Sequence, residues 1–327
     1  MWLRNADAQW HQMITHLLRT HLFMEPIAVA TRRQLPSLHP LWKLLSPHLR
    51  GILAINTLGR ETLIPVGGVA DYVLSIGGGA IGHVHLMQKY YKSLTWSSYD
   101  LPRVLEERGV HDAEQLPGFH YRDDALRLWK VIKEYITDML KIYYYSSKKI
   151  KKDTELQAWI RDLHDNGYPA REGENDHGFP SSVTSLEELT HLLTMVIFTC
   201  SCQHAAVNFS QMDAYGFQPH SPSLMRKPPP KTKGLANMEH IMNSLPTMDQ
   251  AGATIGVVFD LSRKFDDEPR LGEFPERLFT DKAAEDAISR FQGDLHKMSK
   301  AIEHRNDKLK FPYTYLLPEN TPNSVAI

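Results

Sequence analysis

The sequence of 327 residues carries a formal net charge of −1, is 42% hydrophobic and 23% charged, and so has an ordinary globular composition. With so little net charge, the chain offers no electrostatic case for binding nucleic acid. Its two cysteines exclude a disulfide framework and favour a reducing compartment, and its first residues lack the apolar core of a secretory signal.

Helical periodicity dominates the chain and strand-like alternation is scarce, so the sequence predicts a mainly α fold with one domain over residues 1–327. In chain order, the predicted helices cover residues 9–29, 41–64, 83–94, 121–145, 155–166, a helix that begins after 184–188 and carries His204, 238–244, 248–264 and 282–303. An apolar stretch at 192–202 is too short to span a bilayer and predicts a buried helix.

Three histidines lie five residues apart on the first predicted helix, namely His11, His16 and His21. An α-helix turns by about 100° per residue, so side chains five apart differ by roughly 140° and cannot point at one ion. A local π-helical bulge would bring His16 and His21 back to one side, and such bulges are frequent at functional sites. A shared metal site therefore predicts a π-bulge in this helix.

A second polar pair follows far downstream, where His204 and Asn208 lie four residues apart and share a helix face without distortion. Taken singly, each histidine is more often a core or surface residue than a ligand. Taken together, three imidazoles with oxygen ligands suit divalent iron better than magnesium or calcium.

The same blocks, in this order and followed by Ile327 at the end of the chain, resemble the lipoxygenases, and the animal enzymes most closely. The resemblance covers residues 2–327 and implies a lipoxygenase-type helical catalytic domain with one non-haem iron. It implies an iron site made of His16, His21, His204, Asn208 and the carboxylate of Ile327. It also implies that His11 stands beside the ligands without binding the metal. Gln12 is expected to be the amide that links the ligands to the substrate pocket.

The activity implied by this resemblance is dioxygenation of polyunsaturated fatty acids such as arachidonate. In the family, the iron centre removes a hydrogen atom from the CH₂ between two cis double bonds. O₂ then adds to the opposite face of the radical, and a lipid hydroperoxide forms. The expected partners are therefore the fatty acid and O₂, and no organic cofactor is implied.

Further positions match residues that surround the substrate in the family. Gly59 stands where S-selective enzymes generally carry Ala and many R-selective enzymes carry Gly, although a glycine tolerated for packing is the alternative. Arg50 matches an arginine near the fatty-acid carboxylate in some relatives, and an ordinary ion pair is an equally open interpretation. Leu63 and Leu261 match apolar residues that clamp the reacting pentadiene. The deep end of the pocket is expected to be shaped by Ala70, Val73 and Leu74. Each of these five apolar residues could equally be an ordinary core residue.

Animal lipoxygenases begin with a small β-barrel of the PLAT type that assists membrane contact, and the resemblance implies no counterpart to it in these 327 residues. The resemblance therefore implies an N-terminally incomplete catalytic domain, with a cytoplasmic location and membrane association through the missing part. An inactive lipid-binding or interaction remnant of the lipoxygenase fold remains an alternative to an active dioxygenase. A hydrolytic zinc enzyme is disfavoured, because the sequence has no HExxH motif.

Overall fold

The computed structural model describes residues 1–77, 79–170 and 177–325, and its regular secondary structure is helical. No β-strand occurs in this part of the chain, where one isolated antiparallel bridge joins Arg270 to Pro322. The prediction of a mainly α fold is confirmed.

The helices follow one another with short connections in most of the chain. The α-helices of the first half are Trp2–Trp10, Glu25–Gln34, Pro40–Leu45, Ile52–Leu58, Val69–Val73, Gly79–Tyr91, Leu101–Glu107, His120–Tyr143, Ser147–Lys152 and Thr154–Asp162. Those of the second half are Leu186–Phe198, His204–Asn208, Gln211–Tyr215, Met238–Ser244, Met248–Leu261 and Lys282–Asn306. The π-helical segments are His11–Leu22, Gly59–Leu63, Leu163–Gly167 and Thr199–Gln203, and the 3₁₀ turns are Ser46–His48, Trp96–Tyr99 and Pro318–Asn320.

Two predicted helices are divided in the structure. The first begins at Trp2, earlier than predicted, and a new helix starts at Glu25 because Pro26 has no N–H to continue the preceding hydrogen-bond ladder. The helical region predicted over 41–64 is broken at Gly51, whose φ of 79° lies in the left-handed region that glycine enters without strain. Periodicity alone did not show either break.

A central helix, Leu186–Phe198, is buried on nearly all sides and packs against His120–Tyr143, which in turn packs against Lys282–Asn306. The continuous helical stretch Leu186–Tyr215 has the length and composition to cross a membrane, which corrects the prediction that this apolar run is too short. Because 94% of its most apolar window is buried inside the protein, the predicted core position is supported.

The central helix also carries the downstream histidine to the first helix. Beyond Phe198 it continues as the π-helical segment Thr199–Gln203 and then as His204–Asn208, and both pieces pack against His11–Leu22. The two histidine-bearing regions of the sequence therefore meet in the interior.

The central helix begins with a capping box. The Ser185 hydroxyl accepts a hydrogen bond from the Glu188 N–H, and the Glu188 carboxylate accepts one from the Ser185 N–H, both at 3.2 Å. We expect Ser185→Ala to lower the free energy of unfolding by about 1 kcal/mol, since an N–H of the first turn loses its acceptor. Ser185→Thr should be nearly neutral. Equal denaturation midpoints for all three chains would contradict this role of the cap.

Candidate metal centre and adjoining cavity

His16 and His21 face one another because the segment His11–Leu22 is π-helical. The segment His11–Leu22 ends with the Phe23 N–H donating to the Leu18 carbonyl at 2.8 Å, the i→i+5 pattern that brings residues five apart to the same side of a helix. The Nε2 atoms of His16 and His21 lie 3.1 Å apart. The predicted π-bulge is confirmed.

His204 brings a third imidazole to the same point from the second half of the chain. Its Nε2 lies 3.2 Å from Nε2 of His21, and its ring centroid lies 5.4 Å from that of His16. Possible ligand atoms of all three rings fall within 4.8 Å of one another, and the three side chains are buried. Three converging imidazoles form a donor set that fits a transition metal.

The electrostatics of this cluster favour the metal-binding form of the rings. Burial lowers the pKa of His16 well below its usual value, and the nearby imidazoles of His21 and His204 lower it further. Burial lowers the pKa of His21 to about 4, which outweighs the opposing hydrogen bond with Asn56. The rings of His16 and His21 are therefore neutral at pH 7, and neutral imidazole is the form that binds metal.

The stability of the metal-free chain should fall as the pH falls from about 6.5 towards about 4. Burial lowers the pKa of His48 to about 4, as it does for His21, whereas both groups titrate near 6.5 when unfolded. In this window the unfolded chain binds more protons, so unfolding becomes easier as acid is added. Urea unfolding at pH 7, 5.5 and 4.5 measures this slope. His48→Gln should make the slope shallower, and a flat profile would contradict the account.

Three side-chain amides form a hydrogen-bonded series that runs from Gln12 to the Leu261 carbonyl. The Gln12 amide donates to Oε1 of Gln211 at 2.6 Å, and the Gln211 amide donates to Oδ1 of Asn208 at 2.9 Å. Asn208 in turn donates to the Leu261 carbonyl at 2.7 Å. An amide oxygen has two lone pairs, and the bond from Gln211 uses one of those on Oδ1 of Asn208. Asn208 lies on the same short helix as His204. Sequence reasoning missed Gln211, and its spacing of three residues from Asn208 is the signal that could have identified it.

An apolar cavity of about 200 Å³ opens beside the imidazoles of His16 and His21. Its wall is mostly aliphatic, and it contains seven of the eight residues that the sequence places around the substrate. These are Gln12, Gly59, Leu63, Ala70, Val73, Leu74 and Leu261. A wall of this composition suits an acyl chain better than a polar ligand.

Gly59 lies in the cavity wall at the start of the π-helical segment Gly59–Leu63. A Cβ built at this position would meet no heavy atom within 4 Å. A methyl group could therefore be added without strain, and it would occupy space next to the cavity.

Comparison with known proteins identifies the family. A profile of the lipoxygenase family matches residues 1–314. The chain belongs to the lipoxygenase family. It is 49% identical over 326 residues to the allene oxide synthase-lipoxygenase protein of Plexaura homomalla and 42% identical over 326 residues to polyunsaturated fatty acid lipoxygenase ALOX15B of Homo sapiens. These alignments cover all of this chain but only 30% and 47% of those relatives, so the chain spans about half or less of their length.

Solved lipoxygenase structures share the fold described above. A calcium-dependent 11R-lipoxygenase superimposes with a TM-score of 0.96 at 55% identity. The match covers 100% of this chain and 47% of that lipoxygenase. A lipoxygenase in complex with arachidonate gives a TM-score of 0.97 at 49% identity. The match covers 100% of this chain and 48% of that lipoxygenase. The predicted lipoxygenase-type helical fold is confirmed.

Arg50 is the one predicted pocket residue of this lipoxygenase that lies elsewhere. It is exposed and lines a second cavity of about 600 Å³, together with Asp267 and Glu268. This position brings Arg50 next to carboxylates and does not bring it to the wall of the apolar cavity.

Two other predicted positions complete the description of the site. His11 is not part of the imidazole cluster, because its Nδ1 is bonded to the Tyr215 hydroxyl and its Nε2 to the Val207 carbonyl. Ile327 lies outside the described residues, and Val325, two positions before it, is fully buried. The assignment of the Ile327 carboxylate as a ligand stays a prediction.

Proposed function

We propose that this lipoxygenase is a non-haem iron dioxygenase that inserts O₂ into polyunsaturated fatty acids to give lipid hydroperoxides. The observation that carries the proposal is the position of three buried imidazoles at the wall of an apolar cavity. Its support from comparison is membership of the lipoxygenase family, which includes relatives named as polyunsaturated fatty acid lipoxygenases.

We propose that the iron is held by His16, His21, His204, Asn208 and the Ile327 carboxylate. Nitrogen and oxygen donors in this ratio suit divalent iron, whereas magnesium and calcium require mostly oxygen. Iron bound there supplies the one-electron chemistry that removes a hydrogen atom from the CH₂ between two double bonds.

The remaining residues of the cavity position the substrate and exclude water. Leu63 and Leu261 would contact the reacting pentadiene, and Ala70 with Val73 and Leu74 would limit the depth to which the acyl chain enters. Such positioning supports catalysis because small displacements of a reacting carbon are costly in rate.

Iron analysis and ultraviolet detection of conjugated dienes test the proposal together. The iron-loaded chain, mixed with arachidonate and O₂, should contain about one iron per chain and produce conjugated diene. Iron without diene would instead favour the alternative, a lipid-binding remnant. A chain that binds no iron would overturn the proposed function.

Gly59 is proposed to bias the product towards R stereochemistry, since it leaves open space in the cavity wall for O₂. Gly59→Ala should shift both the oxygenated carbon and the handedness of the hydroperoxide. It should not destabilise the chain, because helical Gly costs roughly 0.5–1 kcal/mol relative to Ala. Chiral chromatography of the products is the measurement. The same product from both chains would show that Gly59 serves only packing.

We also propose a cytoplasmic location with membrane contact during substrate uptake. The support is the fatty-acid substrate itself, which partitions into lipid, and the state of Cys200 and Cys202, which are buried free thiols. Fractionation of cells that express the chain would test the location.

A further inference from the structure

We propose that Asn56 and Glu25 are positioning residues for His21, and that Arg60 holds Glu25 in place from the solvent side. The inference rests on the metal site proposed above and extends it to three residues that have no assigned role. None of the three is proposed to bind the metal itself. They act instead through the second ring nitrogen of His21.

The inner link fixes the tautomer of His21. Nδ1 of His21 lies 3.1 Å from Oδ1 of Asn56. The orientation of this amide is determined, because its Nδ2 faces two groups that can only accept, the His21 carbonyl at 3.1 Å and the Glu25 carboxylate at 2.8 Å. Oδ1 must therefore accept, so Nδ1 of His21 carries the proton. The lone pair of His21 Nε2 is then directed to His16 and His204.

The contacts of Glu25 with Asn56 and Arg60 hold the Asn56 amide in this orientation. Oε2 of Glu25 accepts from both Asn56 and Arg60 at 2.8 Å, and Oε1 accepts from the other guanidinium nitrogen of Arg60 at 2.9 Å. Burial alone would raise the pKa of Glu25, but the hydrogen bonds from Arg60 and Asn56 leave it below its usual value. The carboxylate is therefore ionised at pH 7 and able to accept all three bonds.

Exposure to solvent falls along this series of hydrogen-bonded residues, from Arg60 at the surface to His21 in the interior. The exposed fraction is 45% for the Arg60 side chain, 23% for the Glu25 side chain, 2% for Asn56 and 5% for His21. Asn56 and Arg60 also flank Gly59 in sequence, and Arg60 lines the apolar cavity. One short segment thus forms part of the cavity wall and orients a metal-binding imidazole.

Removal of the acceptor should weaken metal binding, because a histidine whose second nitrogen has no partner can rotate or change tautomer. Loss of such an outer partner typically costs 10–100-fold in metal affinity. Anaerobic titration of the metal-free chain with Co²⁺ gives the dissociation constant and a visible spectrum that reports ligand geometry. We expect about 10–100-fold weaker binding for Asn56→Leu, and a smaller loss with an altered spectrum for Glu25→Gln.

A paired exchange separates positioning from general packing. Asn56→Asp alone places a second carboxylate next to that of Glu25, and the repulsion between them should weaken Co²⁺ binding. Combined with Glu25→Gln, it restores a donor and an acceptor between the two side chains and should recover part of the lost affinity, since the bond to the His21 carbonyl is not replaced. Asp138→Asn is the matched control, since it breaks the exposed pair with Arg290 at 2.9 Å and should leave Co²⁺ binding unchanged.

The outcomes of this titration are distinct. If the unmodified chain binds Co²⁺ and His16→Ala does not, the metal site stands. Wild-type affinity and spectrum in folded Asn56→Leu and Glu25→Gln chains would then overturn the positioning role alone. If Asn56→Leu does not fold, the milder Glu25→Gln decides. If the unmodified chain binds no Co²⁺, the proposed metal site fails and this inference fails with it.

Discussion

Replacement of His204 by Gln is expected to lower the affinity for ferrous iron by more than about 100-fold, beyond the 10–100-fold that outer partners typically contribute. His204 is fully buried and supplies the only imidazole of the cluster that comes from the second half of the chain. Its loss leaves His16 and His21 on a single helix, so two nitrogen donors remain. Competition with a chelator under anaerobic conditions measures the affinity, and diene formation should be lost in parallel.

His11→Gln is the matched control for this experiment. His11 lies on the same π-helical segment, but its two ring nitrogens are bonded to Tyr215 and Val207. The variant should therefore keep iron affinity within a few-fold of the unmodified chain, since no ligand is removed. Equal iron affinity for His204→Gln and the unmodified chain would rule out His204 as a ligand.

The second large effect is expected at a buried ion pair between two long helices. Arg305 donates to both carboxylate oxygens of Asp124 at 2.6 Å, and Asp124 is fully buried. Asp124→Ala should lower the free energy of unfolding by about 3–5 kcal/mol, because it leaves a largely buried guanidinium without its carboxylate. Denaturant unfolding followed by circular dichroism is the measurement.

A second ion pair between the same helices provides the control. Asp138 and Arg290 join His120–Tyr143 to Lys282–Asn306 at the surface, and both side chains are exposed. Asp138→Asn should change stability by no more than about 1 kcal/mol. A loss of similar size for the two substitutions would show that burial does not determine how much the Asp124 pair contributes to stability.

Much of the fold follows from periodicity, and its breaks do not. The long amphipathic helices His120–Tyr143 and Lys282–Asn306 lie within a few residues of their predicted bounds, because each buries one continuous stripe. The breaks at Pro26 and Gly51 depend on local backbone chemistry that a sliding apolar pattern averages away. The π-bulge could be predicted from helix geometry, because histidines five residues apart do not meet on an ordinary α-helix.

The candidate site was predictable in its ligand types and less so in its supporting contacts. The sequence indicates the imidazoles and seven residues of the cavity wall through the family resemblance. It does not indicate that Asn56 would reach Nδ1 of His21, because that contact joins residues 35 apart on different helices. Nor does it show that Arg50 opens onto a different cavity, since position in the chain does not specify which side of a helix bundle a long side chain reaches.

Diffraction from crystals of the iron-loaded chain, recorded on both sides of the iron absorption edge, tests the central claim most directly. The account predicts one anomalous peak at roughly 2 Å, the usual metal–nitrogen distance, from Nε2 of His16, His21 and His204. It also predicts that Oδ1 of Asn208 and the Ile327 carboxylate face the same peak. An iron peak at another position, or three imidazoles hydrogen-bonded to one another in a crystal that contains iron elsewhere, would contradict it.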